Sequence, residues 1–217
     1  MVNGASFAKA SDPNGPVAPG TIVAIFGSNL SNSLAVASSV PLSTTLNGTT
    51  ITFNGTPAPL FFVAAGQVNA QIPFNVAPGS VNVQASNNGQ TSTTQTMTAA
   101  QFSPGIFSLN QSGSGPGAIL LANSATFAQP AGSITGQSAQ PVAKGGFITI
   151  FCTGLGAVTP AVASGTVAPS SPPLAVTNSP VTVSIGGISV AAAFSGLAPG
   201  FVGLYQEIGR ASCRERV

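Results

Sequence analysis

The sequence contains no histidine and no tryptophan, and only 4% of its 217 residues are charged. The eight charged residues are Lys9, Lys144, Arg210, Arg214 and Arg216 against Asp12, Glu207 and Glu215. Five of the eight fall in the last eleven residues, so residues 1–206 carry only Lys9, Lys144 and Asp12. Acid–base catalysis, metal centres of histidine and carboxylate, and basic nucleic-acid-binding faces all need charges that this stretch lacks. We therefore expect no catalytic residue, no cofactor, no metal and no nucleic-acid partner.

Cysteine is also scarce, because the chain has only Cys152 and Cys213. A disulfide framework is therefore excluded. Cys152 ends the alternating stretch at residues 147–152, which predicts a small buried side chain in a strand. A catalytic thiol would need a neighbouring base, and the sequence offers none.

The residues that are present favour β structure. Hydrophobic residues make up 43% of the chain, and 26 glycines and 18 prolines separate short runs rich in Val, Ile, Thr and Phe. Helical periodicity is nearly absent, so the pattern predicts an all-β protein of the sandwich type. The predicted strands are residues 21–26, 49–53, 60–63, 68–73, 80–85, 91–98, 118–122, 146–152, 181–185 and 189–194. The dipeptides predicted to form tight hairpin turns, because they accept positive φ, are Asn47-Gly48, Asn54-Gly55, Asn88-Gly89 and Gly186-Gly187.

Three blocks of the sequence recur in the same order. Residues 3–8 resemble residues 123–128, residues 17–26 resemble 142–151, and residues 51–55 resemble 183–187. Phe62 corresponds to Phe194. These offsets have the size of a domain, so they indicate two tandem copies of one domain and not a solenoid. We predict domains at residues 1–102 and 103–206, with the junction near residues 101–105.

The second copy ends early and is followed by a segment of different composition. In the first copy, residues 67–73 lead into two further predicted strands, whereas the second copy changes character after Gln206. Residues 207–217 are nearly half charged and resemble the translation of a sequencing-adapter read. We predict that they are an artefact and not native, and that the second domain is C-terminally incomplete. A genuine basic tail is the alternative.

Four stretches, residues 16–30, 57–63, 67–73 and 195–206, resemble an uncharacterised domain family. That family occurs at the C-terminal ends of large exported proteins of Solibacter-type acidobacteria. Residues 18–30 also resemble the opening of IPT/TIG-type immunoglobulin-like domains. The resemblance implies two tandem immunoglobulin-like β-sandwich domains, the second truncated, in an extracellular or cell-surface protein, and it brings no catalytic residues.

Three features could be mistaken for a catalytic or nucleotide-binding site. Lys144 could form a Ser–Lys dyad, but its place in a turn before a strand predicts an exposed, charged lysine that is no base at neutral pH. The glycine clusters at residues 113–117 and 154–156 lack the Lys-Ser/Thr of a P-loop and the full dinucleotide-binding pattern. Both clusters are predicted to be loops.

The only ligand-binding candidates are the aromatic residues Phe61, Phe62 and Tyr205. Neighbouring strand residues face opposite ways, so one ring of Phe61-Phe62 should point away from its own core. Covering a domain junction or loop is the simpler role for that ring, and partner contact is the alternative. Tyr205 is the only tyrosine, and glycan-binding sandwiches usually present exposed aromatic platforms.

The predicted function is that of a non-catalytic structural or adhesive module of an exported bacterial protein, acting as a spacer or contact domain. The alternative is an accessory carbohydrate-binding module of a secreted hydrolase. Expected partners are upstream domains of the same polypeptide and other surface proteins or glycans. No apolar run is long enough for a membrane helix, so membrane insertion is not expected. No signal peptide is visible, and an export signal would have to lie upstream of this fragment.

Overall fold

The computed structural model describes residues 1–10 and 17–211. Within these residues there is no helix, and every named strand pairs with its neighbours in an antiparallel manner. The predicted all-β class is confirmed. Asp12 and residues 212–217, with Cys213 among them, lie outside the described residues.

The N-terminal half, residues 1–102, contains ten strands. They are β1 (Val2–Asn3), β2 (Ile22–Phe26), β3 (Ala35–Val36), β4 (Thr49–Phe53), β5 (Thr56–Pro57), β6 (Leu60–Ala64), β7 (Gln67–Gln71), β8 (Gly79–Asn87), β9 (Gln90–Thr91) and β10 (Gln95–Ala99). The first sheet has the order β1-β2-β7-β6-β3, and the second sheet has the order β10-β8-β4-β5 with β9 beside β8.

The two sheets of the N-terminal half enclose one apolar core. The first sheet contributes Val23 and Val68, and the second contributes Ile51, Phe53 and Val81, all of them fully buried. In each strand the alternate residues point away from this core, as the period of a β-strand requires. The result is a β-sandwich with two complete layers.

The C-terminal half, residues 103–211, contains nine strands. They are β11 (Gly105–Ile106), β12 (Ile119–Leu121), β13 (Phe147–Thr153), β14 (Val158–Thr159), β15 (Val176–Thr177), β16 (Thr182–Ile185), β17 (Ile188–Ala191), β18 (Phe194–Leu197) and β19 (Tyr205–Arg210). The third sheet has the order β11-β13-β19-β18-β15-β14 with β12 beside β13, whereas β16 and β17 form a hairpin of their own. Within residues 103–211, the third sheet and this hairpin together contain all nine strands.

The core of the C-terminal half lies between the third sheet and the hairpin. Ile148 and Ile150 of β13 pack with Ile185 of β16 and with Val142 from the long connection before β13. A second cluster, which includes Leu197 and Tyr205, lies toward the N-terminal half.

The sequence-based strand predictions agree with the described structure except in two places. The predicted strand at residues 91–98 is divided between β9 and β10, and the one at 189–194 runs from β17 into the start of β18. All four predicted turn dipeptides have positive φ at both residues, as their residue types require. The predicted domain end at residue 206 falls inside β19, whose residues 207–210 pair with β13. The division into two domains and the artefact at residues 207–217 stay predictions.

The completeness of the two halves predicts a difference in their folding. Residues 1–102 contain both layers of a sandwich, so the isolated fragment should unfold in one cooperative thermal transition measured by circular dichroism. Residues 103–211 contain one sheet and a hairpin, so this fragment should lose its signal gradually. A sharp transition from the second fragment would contradict the expectation.

Candidate functional site

Tyr205, one of the three ligand-binding candidates, lies in the core. Its ring is fully buried, and its hydroxyl donates a hydrogen bond to the carbonyl of Gly156. Burial raises the pKa of Tyr205 above its usual value. Tyr205 is therefore a core residue and not an exposed aromatic platform of the kind that glycan-binding sandwiches present.

Phe61 and Phe62 lie at an irregularity in β6. The pairing of β6 with β7 shifts register between Leu60 and Phe62, which is the signature of a β-bulge. The bulge allows both Leu60 and Val63 to be fully buried, and it leaves both phenylalanines half-buried. Neither ring is fully buried, and the expectation that one of them covers a junction or contacts a partner stays a prediction.

The face of the first sheet that points away from the core, which we call the outer face, is uncharged and partly apolar. Because Val23, Val63 and Val68 enter the core, the alternate residues of β2, β6 and β7 must point outward. On β2 and β3 these outward residues include Phe26, which is 51% exposed, and Val36, which is 61% exposed. Exposed apolar residues grouped on one sheet are typical of contact surfaces.

A groove of about 450 Å³ crosses the outer face where it meets the C-terminal half. Gln67 and Asn69 of β7 line it together with Phe7, Phe107 and Leu109, and none of its lining residues is charged. Gln67 Nε2 donates to Asn69 Oδ1 over 2.8 Å. Among the described residues, Gln67 Oε1 and Asn69 Nδ2 have no partner, so the groove offers one free acceptor beside one free donor.

Buried polar groups join the two halves along a contact that we call the seam. The backbone N–H of Ile22 donates to Thr153 Oγ1 over 3.0 Å, and Thr153 Oγ1 donates to the carbonyl of Gly203 over 3.1 Å. The side chain of Gln71 is 1% exposed, and its Oε1 accepts the backbone N–H of Gly165 over 2.6 Å. Buried polar groups that are satisfied only across the seam hold the two halves in one orientation.

Two further contacts extend the seam. Asn3 Nδ2 donates to the carbonyl of Ser103 over 2.9 Å, and the backbone N–H of Phe74 donates to Ser164 Oγ over 3.0 Å. Gly165 has a φ of +79°, and a Cβ there would lie 3.0 Å from Pro59 Cβ. Only glycine therefore allows this loop to approach the N-terminal half so closely.

A row of three polar side chains crosses the third sheet. Thr177 Oγ1 donates to Ser195 Oγ over 2.7 Å, and Ser195 Oγ donates to Glu207 Oε1 over 2.6 Å. Glu207 is buried, and its Oε2 atom has no hydrogen-bond partner. Burial raises the pKa of Glu207 to about 7, against the smaller lowering effect of the Ser195 hydrogen bond. Sequence patterns did not reveal this row, because its members lie on three different strands.

The polar row lacks features that a serine nucleophile and its base need. A serine nucleophile needs a base that can both take its proton and reach a substrate. Glu207 is buried, and none of the described grooves includes Ser195 or Glu207 in its lining. Cys152 beside the row is buried as predicted, and burial and the Glu207 carboxylate raise the pKa of its thiol.

The remaining sequence candidates lie in connections between strands, and of these the cluster at residues 154–156 is buried. Lys144 is exposed in the turn before β13, and the glycine clusters at residues 113–117 and 154–156 lie in connections between strands. Within residues 1–10 and 17–211, no three His, Cys, Asp or Glu residues come together where they could hold a metal ion. The described part of the chain also has no helix that is long and apolar enough to cross a membrane.

Comparison with known families finds a similarity in the N-terminal half. Residues 8–102 match the family described as the IPT/TIG domain. Domains of this kind are typically non-catalytic immunoglobulin-like modules of protein–protein contact. The segment that matches contains the outer face and most of the first and second sheets. No curated protein matches the chain.

The buried carboxyl group of Glu207, whose Oε2 atom has no hydrogen-bond partner, predicts a pH-dependent stability. Its pKa is raised from 4.5 to about 7 in the folded state, so between these pH values the folded protein binds the proton more tightly than the unfolded chain. The free energy of unfolding should therefore be highest below about pH 4.5 and fall by roughly 3 kcal/mol as the pH rises to about 7. The contribution should be almost fully lost by about pH 8 and constant above it.

Urea denaturation across this pH range measures the effect. Glu207→Val should be more stable than the parent chain at pH 8 and should lose most of the pH dependence, whereas Glu207→Gln should lose only the pH dependence. A free energy of unfolding that increases between pH 4.5 and 7, or that Glu207→Val leaves unchanged, would contradict the burial of an unsatisfied carboxylate.

Proposed function

We propose that the chain is a non-catalytic spacer and contact module of an exported bacterial protein. The observation that carries the proposal is the seam, in which buried side chains such as Gln71 and Thr153 bond across the two halves. Inter-domain contacts that are small and wet usually permit relative motion, whereas buried, satisfied hydrogen bonds restrict it. A unit whose two halves cannot move relative to each other holds the parts attached to it at a constant distance from one another.

The outer face supports the contact part of the proposal. It combines the exposed apolar residues Phe26 and Val36 with the half-buried Phe62, and no charged side chain lies on β2, β3, β6 or β7. Adhesion through such a face would depend on shape and apolar area, since electrostatic steering needs charges that this half nearly lacks. The match to a family of protein–protein contact modules supports the same role.

A correspondence between the two halves supports the proposed repeat. β13 pairs with β19 and β19 pairs with β18, as β2 pairs with β7 and β7 pairs with β6. In this alignment Glu207, opposite Ile150, takes the place of Val68, opposite Ile25. A buried carboxylate at the position of a core valine supports the proposal that residues 207–217 are not native. Export to the cell surface is part of the proposal and is supported by the near absence of charge.

The spacer role predicts a single distance between the halves. Spin labels at Ser80→Cys on β8 and Val176→Cys on β15, in a Cys213→Ser background, should give one narrow distance distribution by electron paramagnetic resonance. Cys152 is buried and should remain unlabelled. Gln71→Ala should broaden the distribution, because it leaves the Gly165 N–H without its acceptor.

The matched control is Gln67→Ala, which removes an amide from the same strand without touching the seam. It should leave the distance distribution unchanged. A broad distribution in the parent chain would contradict the spacer role.

A second candidate function, carbohydrate binding, is favoured by the groove. Its paired amides at Gln67 and Asn69 and its aromatic walls at Phe7 and Phe107 match the hydroxyl groups and apolar ring faces of neutral sugars. Neutral oligosaccharides titrated into the chain should then shift the NMR signals of β7. Asn69→Ala should abolish the shifts, and Gln90→Ala on β9 should not. Shifts that survive Asn69→Ala, or their absence with every oligosaccharide tested, would contradict this second function.

A further inference from the structure

The side chains of the outer face lie in two rows that cross the strands of the first sheet. Residues that are directly opposite each other on neighbouring strands share a face, so the strand register defines the rows. The first row, on β2, β7 and β6, contains Phe26, Gln67 and Ala64. The second row, on β2, β7, β6 and β3, contains Ala24, Asn69, Phe62 and Val36. Along each strand the two rows are about 7 Å apart.

The two rows are complementary in side-chain size. On β2, the large Phe26 of the first row lies next to the small Ala24 of the second row. On β6 the order is reversed, because the small Ala64 belongs to the first row and the large Phe62 to the second. β7 has an amide side chain in both rows. Each row therefore has the shape that fits the other.

A pattern of this kind is self-complementary under a two-fold axis that lies between the rows and parallel to them. If the outer faces of two copies pack on each other around this axis, the first row of one copy faces the second row of the other. Phe26 then faces the second copy's Ala24, and Ala64 faces the second copy's Phe62. Sheets that pack face to face lie about 10 Å apart, so each small residue leaves room for the large residue opposite it.

The groove in the outer face lies where the second copy's Phe26 would enter. Ala24 lines this groove together with the aromatic walls Phe7 and Phe107. The side chain of Phe26 is 51% exposed, so its ring has apolar surface to bury. Aromatic rings pack favourably against one another, and the groove is lined by two of them. The groove and the exposed ring are therefore complementary parts of one contact.

The central amide groups fit the same arrangement. Gln67 Nε2 donates to Asn69 Oδ1, which leaves Gln67 Oε1 and Asn69 Nδ2 free among the described residues. Under the two-fold axis, Gln67 faces the second copy's Asn69, so the free acceptor of each copy meets the free donor of the other. No residue of β2, β3, β6 or β7 is charged, so two identical faces do not repel each other.

We propose that the outer face binds the outer face of a second copy of this chain in a two-fold symmetric dimer. The proposal rests on the contact role of the outer face under the proposed function, and it names the partner. The contact is four strands wide and two rows deep, so it belongs to the small, reversible class of interfaces. A module with this face connects two molecules of the protein that carries it.

Sedimentation equilibrium of the full-length chain tests the dimer, in a Cys213→Ser background so that no disulfide joins two copies. The average mass should rise toward twice that of the monomer as the concentration increases from the micromolar to the millimolar range. Ala64→Glu should abolish the rise, because it places a carboxylate against the second copy's Phe62. The matched control, Ser80→Glu, adds the same charge to the outward face of the second sheet and should leave the rise unchanged.

Two further variants test the register of the dimer. Phe62→Lys alone should be monomeric, whereas an equal mixture of Phe62→Lys and Ala64→Glu should form dimers, because residue 62 of one copy faces residue 64 of the other. Asn69→Ala is a milder change that introduces no charge. It should weaken the association about tenfold or more, because both exchanged hydrogen bonds are lost. Circular dichroism of each variant shows whether the fold is retained.

A parent chain that stays monomeric over the whole concentration range would overturn the proposal. Dimers that persist in Ala64→Glu, or that Ser80→Glu also abolishes, would overturn it as well, and so would a mixture of the two folded charge variants that forms no dimers. Neither the distance between spin labels within one chain nor the oligosaccharide shifts measured on the dilute monomer depend on dimerisation. The proposed functions are therefore judged separately from the dimer.

Discussion

The structure depends on how two central strand pairs meet end to end. β2 and β7 form the middle of the first sheet, and their pairing ends at Ile22 with Gln71. β13 and β19 form the middle of the third sheet, and their pairing ends at Cys152 with Tyr205. The seam lies between these two ends, so the residues that complete each central pair also bind the other half. Loss of either pair would remove a core and the seam together.

The low charge of the chain makes hydrogen bonding between neutral groups decisive. At the seam, Asn3, Gln71 and Thr153 are buried and bonded to backbone groups of the opposite half. Each of these contacts replaces water with a partner of matching geometry, which a buried polar group requires. Glu207 Oε2 and Gln129 Nε2 are the exceptions among the described residues, because each is buried without a hydrogen-bond partner. Glu207 Oε2 is therefore the polar atom of the third sheet that is least well hydrogen-bonded. It belongs to residues 207–217, the segment whose composition differs from that of the rest of the chain.

Local patterns predicted much of the fold. Alternating residues identified β2, β4, β8 and β13, because each of these strands has one face in a core. Asn-Gly and Gly-Gly pairs identified the tight turns, because positive φ is a local property. Two-residue strands such as β3 and β14 escaped notice, since they are too short to show a period. β19 was not predicted, because charged residues interrupt its pattern.

Functional positions were harder to predict than strands. Tyr205 stood out as the only tyrosine, but rarity does not indicate exposure, and the ring is a core residue. Gln67 and Asn69 were visible as alternate polar residues, yet their groove exists only because Phe107 and Leu109 approach from the other half. The same holds for Gln71, whose partner Gly165 is distant in sequence.

Composition and the local periodicity of side chains are enough to indicate an all-β protein that is built from short strands with tight turns and is poor in the side chains that catalysis needs. Which polar groups meet across the seam and which aromatic rings are buried emerge only from the folded arrangement of residues 1–10 and 17–211. Such contacts join residues that are far apart in the chain, and a local sequence pattern does not indicate which distant residues come together.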